Sequence, residues 1–363
     1  MKKNIFILFL FVFFLKACAR GKKENIYIPV HKNADYSSHV LSNYLRPKAK
    51  CDWQIVYTTE FHEFYGIWEQ GPDNLYLTGG NNIWYRASNR DPHIIWSKNS
   101  VFLKDLWGST SGDIYAVGYN FRKKHGLIVH CLGDNCEEIE TTTDGEINSI
   151  WGFSPGSIYA VGFEGDSNPP KSVILKYDGI SWEKIPINKK TRLTGIWGTS
   201  PTNLYVIGWE NNSLDRYEGR IFHWNGKVLK EMPIECPMRL LKIWGSSDKE
   251  IFVVGNDHTR SITNNGPAGV ILHFDGKIWS HVLLDNKACF YALWGWSKNE
   301  VYVGGSKWET LGTANRGVIY RYNDSVWQEM KSCAKYPIED FCGGIKNTVY
   351  AIQREGVLMQ LTK

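Results

Sequence analysis

The sequence lacks the motifs of several common enzyme classes. Its 363 residues contain no HExxH pattern of zinc proteases, no phosphate-binding P-loop and no glycine-rich dinucleotide loop. They also contain no CxxC or HxxxH spacing, so the sequence predicts no metal site, and no motif indicates a cofactor. These absences favour a binding protein over an enzyme.

The apolar run near the N-terminus is too short for a membrane-spanning helix, which needs roughly 20 residues. It has eleven residues, from Ile5 to Leu15, and follows Lys2 and Lys3, as in the h-region of a bacterial export signal. Next, Leu15-Lys16-Ala17-Cys18 resembles a lipobox, whose cysteine is lipidated, although Lys16 departs from the usual small or aliphatic residue. Residues 1–19 are therefore predicted to be an export signal that is cleaved before Cys18.

This signal predicts a protein of the cell envelope, lipid-anchored through Cys18 at the outer membrane or at the periplasmic face. Ala17-Cys18-Ala19 also fits the A-x-A pattern of ordinary signal cleavage, which would give a soluble periplasmic or secreted protein. An uncleaved N-terminal anchor is the third option.

The net charge is low. Removal of the three lysines before Cys18 lowers the formal charge from +5 to +2. A nearly balanced charge gives no reason to expect nucleic-acid binding. Residues 20–50 are polar and lack a sustained periodicity, and they are predicted to be a flexible tether.

Seven copies of one repeat follow this tether. Each copy has a short strand, a polar turn and a second strand, as in Lys242–Gly255, and the first strand ends in Trp-Gly in five of the seven copies. Six tryptophans lie 39, 44, 46, 47 and 50 residues apart, and a worn seventh copy follows after 48 residues with cysteine in the tryptophan position. In chain order these residues are Trp68, Trp107, Trp151, Trp197, Trp244, Trp294 and Cys342.

A second pair of strands follows in the first six copies. Asp-Gly or Asn-Gly stands between β-branched and aromatic residues, as at Asp178-Gly179 and Asp275-Gly276, which is a strong hairpin signal because both residues tolerate positive φ. Four antiparallel strands every 39 to 50 residues predict a β-propeller blade. Residues 52–56 match a fourth strand before the first full copy, whereas the last copy stops after its third strand at 357–361. We therefore predict an all-β, seven-bladed propeller over residues 51–363, closed by the N-terminal strand in the last blade.

The repeated tryptophans are predicted to pack between blades, because a binding residue need not recur in every blade. A row of ligand-stacking tryptophans, as in carbohydrate sites, is the alternative. The glycines that follow them are expected to allow a tight turn or a close approach of strands. One carboxylate in each Asp-Gly turn is too few for calcium, which takes six to eight oxygens.

Seven cysteines remain after Cys18, and an exported protein can form disulfides. Cys131 and Cys136 flank a predicted hairpin turn and are candidates for a disulfide. A second group precedes the first strands of three repeats and could staple neighbouring loops; its members are Cys236, Cys289 and Cys333. The odd count leaves at least one free thiol, which we expect at Cys342.

The pattern IWGxSxxxIYxVG followed by ILxYDGxxW resembles repeats of bacterial exported β-propellers of the BNR/Asp-box and photosystem-assembly-factor-like class. The resemblance spans residues 51–363 and implies the propeller fold. The Asp-box pattern S-x-D-x-G-x-T-W is met only loosely, since Asp178-Gly179 and Asp275-Gly276 are adjacent pairs. Sialidases of this class use an arginine triad and a Tyr/Glu pair, and no residue here matches those motifs.

Function is predicted on the loops that vary between copies, because such loops on a rigid scaffold carry most binding residues. They lie after the second strand of each repeat and mix carboxylates, basic groups and aromatics. The candidate ligand- or partner-binding residues are Arg122, His125, Asp166, Trp209, Glu210, Arg216, Asp257, His258, Arg260, Trp308 and Arg316. The same aromatics could instead only cover blade edges.

The leading hypothesis is a monomeric, non-enzymatic binding or scaffold module whose partner is a protein or a glycan at the cell envelope. The alternatives are a carbohydrate-active enzyme, either a sialidase-like glycoside hydrolase or a polysaccharide lyase, and a glycan-binding lectin. A hydrolase needs two carboxylates roughly 5–10 Å apart. A lectin is expected to show equivalent pockets in several blades.

Overall fold

The computed structural model describes residues 51–59, 62–88, 90–165, 167–211, 217–257, 268–285, 287–308, 316–323, 326–343 and 347–362, except the side chains of 283, 284 and 362. The predicted export signal, the tether and Cys18 lie outside these residues. Within them, no helix is long and apolar enough to cross a membrane.

The described residues form 28 strands in seven four-stranded antiparallel sheets, which are the blades of a β-propeller. In each of blades 1–6 the strands follow chain order from the innermost to the outermost. The strands are β1 (Gln54–Thr58); β2 (Gly66–Gly71), β3 (Asn74–Gly79), β4 (Asn82–Arg86) and β5 (His93–Ser97) in blade 1; β6 (Val101–Gly108), β7 (Asp113–Asn120), β8 (His125–Leu132) and β9 (Asn135–Glu140) in blade 2; β10 (Gly145–Ser154), β11 (Ser157–Glu164), β12 (Lys171–Tyr177) and β13 (Trp182–Lys184) in blade 3; β14 (Arg192–Ser200), β15 (Asn203–Asn211), β16 (Tyr217–Trp224) and β17 (Leu229–Met232) in blade 4; β18 (Arg239–Ser247), β19 (Glu250–Asp257), β20 (Ala268–Phe274) and β21 (Trp279–Asp285) in blade 5; β22 (Ala288–Ser297), β23 (Glu300–Lys307), β24 (Arg316–Asn323) and β25 (Val326–Glu329) in blade 6; and β26 (Ile338–Gly343), β27 (Thr348–Gln353) and β28 (Val357–Thr362), with β1, in blade 7.

The N-terminal strand closes the ring, as predicted. β1 pairs antiparallel with β28, with Gln54 opposite Gln360. Just before β1, Trp53 is 3% exposed and packs with Tyr302 of blade 6 and Phe341 of blade 7. The inner strands contact one another in cyclic order, since β26 also packs on β2. The predicted seven-bladed propeller, closed by its first strand, is therefore confirmed.

The repeated tryptophans fill the space between neighbouring blades. The ring of Trp107 in blade 2 lies over Gly152 in blade 3, where a Cβ would come within 2.7 Å of the indole. Trp197 lies over Gly245 in the same way, at 2.6 Å. Gly108 and Gly295 likewise meet the indole of the preceding blade, which explains why tryptophan and glycine recur together in these copies.

A disulfide in blade 2 replaces an aromatic pair that other blades carry in their two outer strands. Tyr177 and Trp182 lie 5.2 Å apart in blade 3, and Phe274 and Trp279 lie 5.0 Å apart in blade 5. Cys131 and Cys136 occupy the equivalent cross-strand positions of β8 and β9 and are joined by a disulfide. Because a bridge and a ring pair fill the same place, this blade keeps its outer core without the aromatics.

The remaining cysteines do not staple neighbouring loops in the way the sequence suggests. Cys333 is bonded to Cys51, which precedes β1 and lies 282 positions away in the sequence. Cys236 and Cys289 are buried free thiols, and so is Cys342. Cys51 reaches Cys333 because β1 joins blade 7, beside the connection that leads into that blade from blade 6.

The ring has two faces. Inner strands run from the face that carries the blade-to-blade connections and the loops after the second strands, which we call the loop face. They run toward the face that carries the Trp-Gly turns and the outer hairpins, which we call the turn face.

Candidate functional site

The inner strands share a distortion that aims side chains at the axis of the ring. Six of them skip one residue in their register with the second strand, and the skipped residue lies three positions before the tryptophan position. Such a bulge turns two consecutive side chains toward the same side. The skipped residues are Lys104, Asn148, Thr194, Leu241, Tyr291 and Glu339.

A charged bridge crosses the axis one residue further along the inner strands. Lys242 Nζ of blade 5 lies 3.0 Å from Asp340 Oδ2 of blade 7 and 3.5 Å from Asp105 Oδ1 of blade 2. Asp105 Oδ2 accepts hydrogen bonds from Ser149 Oγ at 2.7 Å and from the Ile150 N–H at 3.2 Å. The bridge therefore holds two carboxylates and one ammonium group, which leaves one net negative charge when both acids are ionised.

These groups perturb each other's ionisation. Burial lowers the pKa of Lys242, but Asp105 and Asp340 outweigh this effect and hold that pKa above its usual value. Burial, opposed by Lys242 and assisted by Asp105, raises the pKa of Asp340 to about 6. Lys242 therefore stabilises the ionised form of Asp340, and the two carboxylates stabilise the protonated form of Lys242.

On the turn-face side of this bridge lies a cavity of about 280 Å³, which we call the tryptophan cavity. All seven blades contribute to its wall. The residue just before each tryptophan position contributes an aliphatic or aromatic side chain, and the six repeat tryptophans form the next layer. The bridging residues Asp105, Lys242 and Asp340 close the polar end.

On the other side lies a cavity of about 230 Å³, the loop-face cavity, lined by the skipped residues and by Tyr65, Phe102, Asp105, Ser149 and Lys242. Its wall is tied across blades. Lys104 Nζ donates to Asn148 Oδ1 at 2.7 Å, and Asn148 Nδ2 donates to the carbonyl of Leu193 at 2.7 Å. The polar groups of this cavity are therefore fixed by the scaffold rather than by mobile loops.

Burial perturbs the ionisation of one carboxyl group of the loop-face cavity. Glu339 is paired with Arg354 at 2.6 Å. Burial raises the pKa of Glu339 to about 7; Arg354 opposes the rise, and the charge of Glu63 adds to it. Tyr65, whose hydroxyl donates to Glu63, lines the same cavity. A carboxyl group with such a pKa can exchange a proton at physiological pH.

A stack of two arginines and three aromatic rings lies at the loop-face ends of blades 3 to 5. Arg192 Cζ is 4.2 Å from the ring centre of Phe163 and 5.6 Å from that of Trp209. Arg239 Cζ is 4.7 Å from Trp209 and 3.8 Å from Tyr217, whose hydroxyl also accepts a hydrogen bond from Arg239. We call these five residues the arginine–aromatic stack.

The two guanidinium groups have no carboxylate in ion-pair contact within the part of the chain that the structure describes. Burial lowers the pKa of Arg192, and the positive charge of Arg239 lowers it further, although Glu146 acts in the opposite direction. Two like charges are thus held close together by ring stacking. This arrangement favours an anionic group that would neutralise both.

The structure places Trp209 at the centre of this stack. Glu210, its neighbour, belongs to another group of contacts: it accepts a hydrogen bond from Thr191 Oγ1 at 2.6 Å and pairs with Arg220 at 3.2 Å. The two residues were predicted together, but alternation along β15 sends their side chains to different partners.

The other predicted candidates are spread around the loop face. Arg122 is exposed and His125 is half-buried in blade 2, whereas Asp257 is 9% exposed in blade 5. In blade 6, Trp308 follows β23, and Arg316 pairs with Glu329 at 2.7 Å. The structure does not bring these five residues into one site. The remaining candidates lie outside the described residues; they are Asp166, Arg216, His258 and Arg260.

Sequence reasoning missed the axial residues and the arginines of the stack. A usable signal was present, because the position two residues before the tryptophan position changes from copy to copy inside an otherwise constant strand. In chain order it is occupied by Gly66, Asp105, Ser149, Gly195, Lys242, Ala292 and Asp340.

Two local arrangements bear on catalysis and on metal binding. Gly152-Phe153-Ser154-Pro155-Gly156 matches the letters of the GxSxG nucleophile motif, but it lies in the turn between β10 and β11 instead of a strand-to-helix turn. Among the described residues, no group of His, Cys, Asp and Glu is arranged to hold a metal ion.

Comparison with known proteins identifies the fold only. No protein family model and no curated protein sequence matches the chain. Among solved structures, YCF48 bound to D1 peptide is similar with a TM-score of 0.62 and 11% identity, over 86% of this chain and 95% of that chain. The WD40 β-propeller domain of Doa1 gives 0.60 and 8%, over 86% and 97%. The GH74 xyloglucanase from Xanthomonas campestris gives 0.59 and 8%, over 86% of this chain and 54% of that chain. Similarity at these identities agrees with the seven-bladed propeller and carries no activity with it.

Proposed function

We propose that this protein is a non-catalytic binding module of the cell envelope, which holds an acidic segment of a partner protein on its loop face. The observation that carries the proposal is the arginine–aromatic stack. Its two guanidinium groups are half-buried, held by three rings, and without a carboxylate partner among the described residues. A planar guanidinium group binds a carboxylate through two parallel hydrogen bonds, and its ring contacts fix it in advance.

A protein segment suits this surface better than a small anion. The rings of Trp209, Phe163 and Tyr217 are half-buried, so each keeps apolar surface for neighbouring side chains of a bound segment. YCF48, which shares the fold, is known bound to a peptide. That likeness supports a binding role for a propeller of this kind without identifying the partner.

The binding test uses an array of short peptides of varied sequence and the fluorescently labelled mature protein. We expect the bound peptides to be enriched in acidic residues, and we expect Arg192→Gln and Arg239→Gln each to weaken binding at least tenfold, because each removes one of two positive charges. Arg90→Gln is the matched control, since Arg90 is exposed in the outer hairpin of blade 1, on the turn face and away from the stack. Equal binding by the wild type and both stack variants would refute the proposal.

The location of the protein is proposed from residues 1–19, with Cys18 as the lipidated mature N-terminus. Mass spectrometry of the protein purified from its native membrane tests this directly. A diacylglyceryl-modified Cys18 is expected, and an unmodified chain starting at Arg20 would contradict lipid anchoring.

A hydrolase that acts at the loop-face cavity is the second candidate. It is favoured by Glu339, whose pKa is raised to about 7 and which is close enough to Glu63 to be affected by its charge. Glycoside hydrolysis needs one protonated and one ionised carboxyl group. Turnover of chromogenic glycosides by the wild type but not by Glu339→Gln would support this candidate, and absence of turnover by the wild type would remove it for those substrates.

A further inference from the structure

The tryptophan cavity is the part of the central channel that the repeated tryptophans line. Blade-to-blade packing accounts for the glycine under each indole, yet about 280 Å³ remains open between the indoles and the axial bridge. β-Propellers are built around a central channel, so the open space itself belongs to the fold, and its lining determines what it binds.

The walls of the cavity are apolar over most of their area. Six indoles and seven side chains from the preceding positions line it, together with Glu69 and Cys342 where blades 7 and 1 meet; the seven are Ile67, Leu106, Ile150, Ile196, Ile243, Leu293 and Phe341. An apolar, partly open cavity of this kind excludes strongly hydrated groups unless a charged partner compensates for the lost water. The body of a ligand that fills it is therefore hydrocarbon-like.

The polar end of the cavity has an excess of negative charge. Asp105 and Asp340 share one ammonium group, that of Lys242, at 3.5 and 3.0 Å. Asp340 is 4% exposed and Asp105 is 9% exposed, so water screens them weakly. A cation placed beside them would neutralise the charge that Lys242 leaves uncompensated, and indole faces within reach would add a favourable interaction with it.

We propose that the tryptophan cavity binds a small organic cation, an ammonium group carried on an apolar body. The apolar body lies among the indoles and aliphatic side chains, and the ammonium group lies against Asp340 and Asp105. This site is separate from the arginine–aromatic stack on the loop face, which attracts the opposite charge.

The test compares three probes of nearly equal shape on the full mature chain: benzylammonium, benzyl alcohol and benzoate. Isothermal titration and tryptophan fluorescence measure their affinities. We expect saturable binding of benzylammonium, with at least tenfold weaker binding of the alcohol and no binding of benzoate. The proposal is overturned if benzylammonium does not bind, or if either uncharged or anionic probe binds equally well.

Variants locate the bound cation. Asp340→Asn and Asp105→Asn each remove one carboxylate with little change of volume, and each is expected to weaken benzylammonium binding at least tenfold. Asp275→Asn is the matched control because Asp275 lies in an outer hairpin turn, where blade 4 carries Asn225 in the same role. Unchanged affinity in a folded Asp340→Asn variant would overturn the assignment. If both axial variants fail to fold, the wild-type comparison of the three probes still decides whether the site selects a cation.

Discussion

The two disulfides should differ strongly in what they contribute to stability, although their chemistry is the same. Cys51 and Cys333 are 282 positions apart, whereas Cys131 and Cys136 are 5 apart. In the chain-entropy account, a bridge stabilises the fold by restricting the unfolded chain, and the effect grows with the logarithm of the loop length. It predicts about 5–6 kcal/mol for the long loop and about 2 kcal/mol for the short one.

The packing of the cysteines reduces the difference between the two expected losses of stability. Cys131 is fully buried, so its replacement by alanine also leaves a small void that costs about 1 kcal/mol. Cys333 is exposed, and its replacement leaves little empty space. The free energy of unfolding should therefore fall by about 5–6 kcal/mol in Cys51→Ala/Cys333→Ala and by about 3 kcal/mol in Cys131→Ala/Cys136→Ala.

Urea unfolding, followed by tryptophan fluorescence and by circular dichroism, measures both losses under oxidising conditions. The reasoning would be refuted if removal of the short-loop disulfide lowered the free energy of unfolding as much as removal of the long-loop disulfide, or more. The expected order depends only on loop length and burial. A third variant, Cys131→Phe/Cys136→Trp, isolates the packing of blade 2. It restores the ring pair found in blade 5 and should recover most of the stability lost in the double alanine variant.

Two more predictions follow from closure and from burial. Trp53→Ala should reduce the free energy of unfolding by about 3–5 kcal/mol, because Trp53 is 3% exposed between blades 6 and 7. Trp182→Ala, at a half-buried outer position of blade 3, should reduce it clearly less. Equal losses in the two variants would contradict the closing role of β1. Glu339 has a pKa raised to about 7 in the folded protein, so the folded state holds its proton more tightly than the unfolded state, and stability should fall as pH rises from about 4.5 to 7. Glu339→Gln should flatten that part of the curve of melting temperature against pH, and a parallel curve would show that another group titrates there.

The features that could be predicted from the sequence are those that repeat or that act locally. The Trp-Gly turn and the Asp-Gly hairpin each depend on residues only a few positions apart. The same local structure is therefore predicted wherever these patterns recur. Residues 52–56 were recognisable as a fourth strand for the same reason, and their pairing with β28 follows from counting strands.

The features that could not be predicted depend on contacts between distant copies. Cys51 meets Cys333 only after the ring has closed. The arginine–aromatic stack joins residues of blades 3, 4 and 5, and the axial bridge joins blades 2, 5 and 7 across the ring. No spacing within one repeat encodes such contacts. The variable loops drew attention to Trp209 but gave no reason to connect it with Arg192 and Arg239, which begin the inner strands of blades 4 and 5.

The boundary between blades 7 and 1, the closing seam of the ring, contains two departures from the repeat that are explained together. Cys342 replaces the tryptophan of blade 7, and Glu69 replaces the glycine that would lie beneath its ring in blade 1. An indole in that position leaves no room for a Cβ in the next blade, because a Cβ placed on Gly152 would lie only 2.7 Å from the Trp107 ring. The two residues are neighbours, since burial and then the charge of Glu69 raise the pKa of Cys342 well above its usual value. Cys342 in place of tryptophan and Glu69 in place of glycine therefore compensate for each other at the seam. Both residues line the tryptophan cavity, so its wall is polar at this point.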